Sequence, residues 1–307
     1  MRQSSNKLSI SHQLKRLIEH RKITERWVTT LFFGVSLTSI ITIFLIAFTL
    51  FAESIPFFEQ VSFFEFLTAP EWTPLFENPK FGIMPLVAAT LTTTWIAIVV
   101  ATLLGVTLAC FLSEFASPWL RETIKPILEI LAGIPTIVYG YFALIYVTPF
   151  LQTFIKDLPG FNMLSAGLVM GLMITPYLTS LIEDALSSVG PELREGSLAL
   201  GASRVETIFL VLLPQIKSSL IASLILAVSR ALGETMIVTI AAGSMAALSW
   251  NPLTPGQTLT AFIAQISLGD SPHGSLSYQA MYAVGFVLFV MTLILNVISF
   301  FIRNRKV

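Results

Sequence analysis

Six stretches of this 307-residue chain are almost continuously apolar, at roughly 27–52, 84–112, 127–149, 164–186, 218–246 and 279–302. Crossing a hydrocarbon core about 30 Å thick takes about 20 helical residues, and backbone in lipid must satisfy its own hydrogen bonds. The pattern therefore predicts an all-α membrane protein with six transmembrane helices. An even number of spans puts both termini on one side, and the basic residues say which. Seven lysines and arginines lie before the first span, two in the loop around Arg121 and Lys125, three between 187 and 217, and three after the last span. The opposite side holds Lys80 and Lys156 alone. By the positive-inside bias both termini are cytoplasmic. The expected organisation is a cytoplasmic tail at 1–26, a first span at 27–52, an extracytoplasmic loop at 53–83, a five-span core at 84–302 and a cytoplasmic tail at 303–307.

The first apolar run is about twice the length of a signal-peptide core, and no small-residue cleavage site follows it, so it reads as a true span. The outer segment 53–83 carries Glu53, Glu59, Glu65, Glu71 and Glu77 among aromatics and prolines. It reads as a folded loop or short interfacial helix that meets a partner or the membrane surface, because its acidity would repel an anion. In the N-terminal tail, Leu8, Leu14, Leu17 and Ile18 alternate with basic residues in the manner of a helix lying on anionic headgroups.

Composition agrees with the bilayer as a partner: 54% of residues are hydrophobic and 12% charged, against about 25% charged in soluble domains. Net charge is zero, which gives no reason to expect nucleic acid as a partner. Cys110 has no second cysteine to pair with, and the three histidines lack metal-ligand spacing, so neither a disulfide nor a metal is expected. No Gly-x-x-x-x-Gly-Lys-Ser/Thr stretch occurs, so no nucleotide cradle, other cofactor site or catalytic residue is expected.

The polar inner loop Ser188–Glu206 is punctuated like two short helices. Pro191 suits a first helical position and Gly201 a helix stop, while Ser203 and Glu206 have the spacing of a capping box. Pro214 closes or kinks the second helix. Glu195-Gly196-Ser197, then Gly201, then Leu213-Pro214 resemble the Glu-Ala-Ala loop of ABC importer permeases, with Gly196 and Ser197 in place of the two alanines. The resemblance implies that this loop is a coupling helix seated in a groove of a separate ATP-binding subunit, with Glu195 and Gly201 as its characteristic positions.

Arg230 and Glu234 stand four residues apart inside the fifth apolar stretch, hence on one face of an uninterrupted helix. Charge at mid-span is costly, so both are expected to face a wet interior. They either pair with each other or leave the guanidinium to meet an oxyanion, whose geometry its donor fork matches. Thr235 would add a donor. The runs Arg230–Met236, Leu131–Phe142 and Phe81–Leu86 resemble the permease subunits of phosphate ABC importers, the last favouring one of that importer's two permeases over the other. That resemblance implies phosphate as cargo, a second permease subunit, an ATPase subunit and an extracytoplasmic phosphate-binding protein. Sulfate or molybdate remains the alternative cargo. A secondary transporter or channel is the alternative class, although such proteins need no coupling loop and usually carry an internal repeat.

In the third stretch Gly133, Pro135 and Gly140 permit bending, and Thr136 and Tyr139 are candidate pathway donors. In the fourth, Gly167 and Gly171 form a Gly-x-x-x-Gly pair for close helix contact, either inside this chain or against the second permease.

Overall fold

The computed structural model describes residues 2–304, with side chains for residues 25–302 apart from residue 270. The amphipathic reading of Leu8, Leu14, Leu17 and Ile18 and the side chains of the C-terminal tail therefore lie outside the described residues. Among the described residues the chain is helical, and strand pairing is limited to isolated bridges between Glu71 and Ala247 and between Trp72 and Phe81. Residues 1–52 and 53–307 form two units.

The first unit lies within α1 (Arg2–Gln60), whose Glu25–Gln60 portion is long and apolar enough to cross a membrane. In the second unit α2 (Phe63–Thr68) is followed by α3 (Met84–Glu114), α4 (Pro118–Gly133), α5 (Thr136–Phe142) and α6 (Thr148–Gln152). Next come α7 (Met163–Ser187), α8 (Pro191–Ala199), α9 (Arg204–Thr207), α10 (Leu213–Gln215) and α11 (Lys217–Leu232). The chain ends with α12 (Met236–Ala241), α13 (Leu259–Gln265) and α14 (Leu276–Asn304).

Four helices are continuous spans by length and composition, in α1, α3, α7 and α14. The third expected span is bent, and a second bend falls just before the fifth. Helices α4 and α5–α6 meet at 88°, and the Arg204–Gln215 segment meets α11 at 76°, so six spans result when each bent pair counts as one. The third break follows from Pro135: the residue before a proline avoids helical ψ, and Ile134 sits at φ −65°, ψ 130°. Helix α4 is consequently an amphipathic element rather than the first half of a straight span. The fifth expected stretch, 218–246, is also interrupted, because α11 stops at Leu232 with Gly233 as its cap and α12 starts afresh at Met236.

Helix α7 is the centre of the bundle, with 72% of its most apolar window buried, against 33% for α3 and 6% for α14. Its neighbour α3 lies along it on a stripe of small residues, Ala97, Ala101, Gly105 and Ala109, all buried and four apart. Gly167 and Gly171 make this contact possible. A Cβ on Gly167 would stand 2.7 Å from Cβ of Ile96, and one on Gly171 2.6 Å from Cβ of Val100. The Gly-x-x-x-Gly pair thus packs α7 against α3 within the chain.

Segment 53–83 folds as a loop with the short α2, as its composition suggested. Phe57, Phe66, Trp72 and Phe81 pack edge to face, and Trp72 meets Phe262 of α13 at 4.9 Å between ring centres. Glu71 and Lys80 pair at 2.6 Å, and this hydrogen-bonded carboxylate raises the Lys80 pKa.

Candidate functional site

The 188–206 loop forms the helix, turn and helix that its punctuation predicts. Pro191 opens α8 at its first turn, and the helix ends in a Schellman motif. Ala202 N–H donates to the Ser197 carbonyl at 3.2 Å and Gly201 N–H to the Leu198 carbonyl at 3.0 Å. Gly201 takes φ +87°, a conformation that disfavours any side chain. The capping box is complete: Glu206 N–H reaches Ser203 Oγ at 3.3 Å and Ser203 N–H reaches Glu206 Oε2 at 2.7 Å.

Glu195 and Gly196 are exposed on α8, and so are Leu193, Leu198 and Leu200, the last at 91%. Apolar side chains gathered on one short helix outside the spans are the composition of a protein-binding surface. Behind that surface, α8 is tied to the bundle. Arg194 Nε donates to Glu114 Oε1 at the end of α3 at 3.0 Å, and its Nη atoms donate to the carbonyls of Leu186 and Val189 at 2.6 Å. Ser197 Oγ meets Thr207 Oγ1 at 3.0 Å, joining α8 to α9. Pro214 falls in α10, just before the bend at Ile216.

The second cluster borders a cavity of about 370 Å³ between α4, α7 and α11, lined by Lys125, Glu129, Tyr177, Ser180, Glu183 and Arg230 among others. Arg230 projects over the Tyr177 ring, 5.3 Å from its centre, with one nitrogen 3.8 Å from Met173 Sδ. Among the described residues no carboxylate pairs with it. The expected shared face with Glu234 does not exist, because α11 ends between them. Glu234 Oε1 instead accepts from Met236 N–H at 3.0 Å and Ile237 N–H at 3.2 Å, satisfying the first amides of α12. A guanidinium without a carboxylate, beside a cavity, retains its donors for an anion.

Other sequence-selected residues have local roles. Tyr139 donates its hydroxyl to the Leu131 carbonyl at 2.8 Å, closing the α4–α5 bend. Thr136 is the first residue of α5, and Thr235 Oγ1 donates to the Gly233 carbonyl at 3.3 Å inside the α11–α12 break. These three do not line the Arg230 cavity. Reading the sequence missed Arg194, Lys125, Tyr177 and Glu183. A signal for Glu183 was present, since a carboxylate within the fourth apolar stretch demands a partner.

Residues 101–306, which hold both clusters, match the family model of the binding-protein-dependent transport system inner membrane component. The chain belongs to this family. The permease is 35% identical over 260 residues to the phosphate transport system permease protein PstC of Xylella fastidiosa, covering 78% of each chain. It is 30% identical over 311 residues to the probable phosphate transport system permease protein PstC of Methanocaldococcus jannaschii, covering 95% and 96%. A third relative, at 34% over 246 residues and 80% and 79% coverage, is the probable ABC transporter permease protein YqgH of Bacillus subtilis. Among solved structures, an inward-facing MetNI methionine ABC transporter has the same fold, with a TM-score of 0.56 at 17% identity over 73% of this chain and 98% of that one. The permease is thus a transport component of a cell inner membrane.

Proposed function

We propose that this chain is a permease subunit of an ATP-driven phosphate importer. The observation that carries the reading is its 30–35% identity, over most of its length, to relatives described as PstC. The chemistry agrees, because Arg230 offers an oxyanion a planar donor fork that no carboxylate among the described residues occupies. In this reading both termini and α8 are cytoplasmic. The exposed α8 seats in a PstB-like ATPase, a PstA-like permease pairs with this chain, and a PstS-like binding protein delivers phosphate on the opposite face.

The chain itself makes and breaks no bond. ATP-driven closure of the ATPase moves α8, and Arg194 passes that movement to the ends of α3 and α7 while the Ser197–Thr207 contact passes it to α9. The spans then change between inward-open and outward-open arrangements as rigid bodies. Arg230 meets the phosphate during passage, and Glu234 holds the α11–α12 break in shape.

The test is labelled-phosphate uptake by cells lacking this chain and supplied with it or with variants. The intact gene should restore uptake that excess sulfate leaves unchanged. Glu195→Lys should restore none while the subunit stays in the membrane. Restored uptake of labelled sulfate in place of phosphate would assign a different oxyanion.

A further inference from the structure

We propose that Glu183 is a resident counter-anion from which the transported oxyanion takes Lys125, so that Lys125 and Glu183 form a release station beyond Arg230. The proposal rests on the phosphate-permease reading and extends it to residues on α4 and α7.

The cavity follows α7 from Tyr177 to Glu183, six residues or about 9 Å of helical rise. Arg230 stands over Tyr177 at one end. Glu183 stands at the other, four residues before the α7 terminus that leads into the α8 loop. An anion leaving Arg230 toward that loop therefore meets Lys125 and Glu183 next.

The Glu183 side chain is only 5% exposed, and its Oε1 lies 3.0 Å from Lys125 Nζ and 3.7 Å from Arg121 Nε. The same oxygen makes no aligned hydrogen bond. A buried carboxylate needs both a countercharge and donors, and this atom has the charge alone. Arg121 is committed elsewhere, donating to the carbonyls of Leu112 and Ser113 at the end of α3. Lys125 is 44% exposed and carries a point charge on a flexible stem. It is the partner able to change allegiance.

Charge balance gives the exchange its direction. Lys125, Arg230, Glu129 and Glu183 line one cavity, so the formal charge of its lining is zero, and Arg121 stands 3.7 Å from Glu183 as a further cation. Exposed Glu129 can turn toward solvent, whereas Glu183 cannot leave. An arriving oxyanion gains Lys125 only by separating it from Glu183, which then repels the newcomer. Such a station lets cargo pass without retaining it.

The experiment uses the purified complex of both permeases and the ATPase, probed with labelled inorganic phosphate by equilibrium dialysis and, with the binding protein outside and ATP supplied to the ATPase, by uptake into vesicles. Glu183→Gln preserves size and removes the competing charge. Retained phosphate should rise several-fold and uptake rate fall several-fold at equal amounts of assembled complex. Lys125→Gln should lower retention several-fold. Unchanged retention in both variants overturns the proposal, as does lower uptake in Glu183→Gln explained entirely by lost assembly with normal retention in Lys125→Gln. If Glu183→Gln fails to assemble, retention in Lys125→Gln decides alone. An absence of phosphate uptake by the unaltered complex defeats the phosphate reading and this proposal together, whereas normal uptake with unaltered retention in the variants defeats only the proposal.

Discussion

Gly201 and Gly196 sit five residues apart in the same loop and answer to different physics. Gly201 is at φ +87°, where an L side chain costs roughly 1–2 kcal/mol. Gly201→Asp should disrupt the α8 terminus and abolish ATP-dependent uptake while the subunit stays in the membrane, as uptake assays beside immunoblots would show. Gly196 is mid-helix, and a Cβ there meets nothing within 4 Å. Gly196→Ala should therefore retain uptake and stabilise α8 by up to about 1 kcal/mol, seen as slower amide exchange across residues 191–199. Arg230→Gln should reduce phosphate flux at least tenfold with little loss of subunit abundance; equal losses would make Arg230 a packing residue. The charge of Arg230 was legible in the sequence because an arginine inside an apolar run stands out. Its lack of a carboxylate was not, since the i, i+4 relation to Glu234 holds only if the helix continues. Gly233 ends it.

At the scale of elements, hydropathy located α3, α7 and α14 closely because one apolar period runs through each. It failed at the third and fifth spans for a common reason: breaks at Ile134–Pro135 and Gly233–Thr235 interrupt the backbone inside stretches whose overall hydropathy still reads as one span. Pro135 was the readable warning. The Schellman turn and capping box were predictable because both are local, whereas the Lys125–Glu183 and Arg194–Glu114 pairs join elements distant in sequence and required the fold. The α3–α7 contact makes a sharp prediction. Gly171→Leu would force a side chain into Val100 and the Ala97 carbonyl, and overpacking costs about 1–3 kcal/mol or more where backbone blocks relief. The subunit should be lost from the membrane fraction. Gly34→Leu, with nothing within 4 Å of the added Cβ, should leave its amount unchanged. Arg194→Gln belongs to this scale too. Without the link from α8 to α3, the assembled complex should keep hydrolysing ATP while phosphate uptake per ATP falls several-fold.

For the whole molecule, two regions divide the labour. Helix α8 exposes leucines and is fastened by Arg194 and Ser197 to three other elements, so in the proposed function displacement at the surface is carried into the bundle. The cavity beside α7 is lined by both Arg230 and Lys125. The central claim is that ATP spent by a partner moves phosphate through this chain. The most direct measurement is uptake of labelled phosphate into vesicles containing the complete complex, with the binding protein outside and ATP supplied to the ATPase. The account predicts phosphate accumulation that requires ATP, is insensitive to excess sulfate and disappears with Glu195→Lys. Equal accumulation without ATP, or with Glu195→Lys at normal subunit levels, would contradict it.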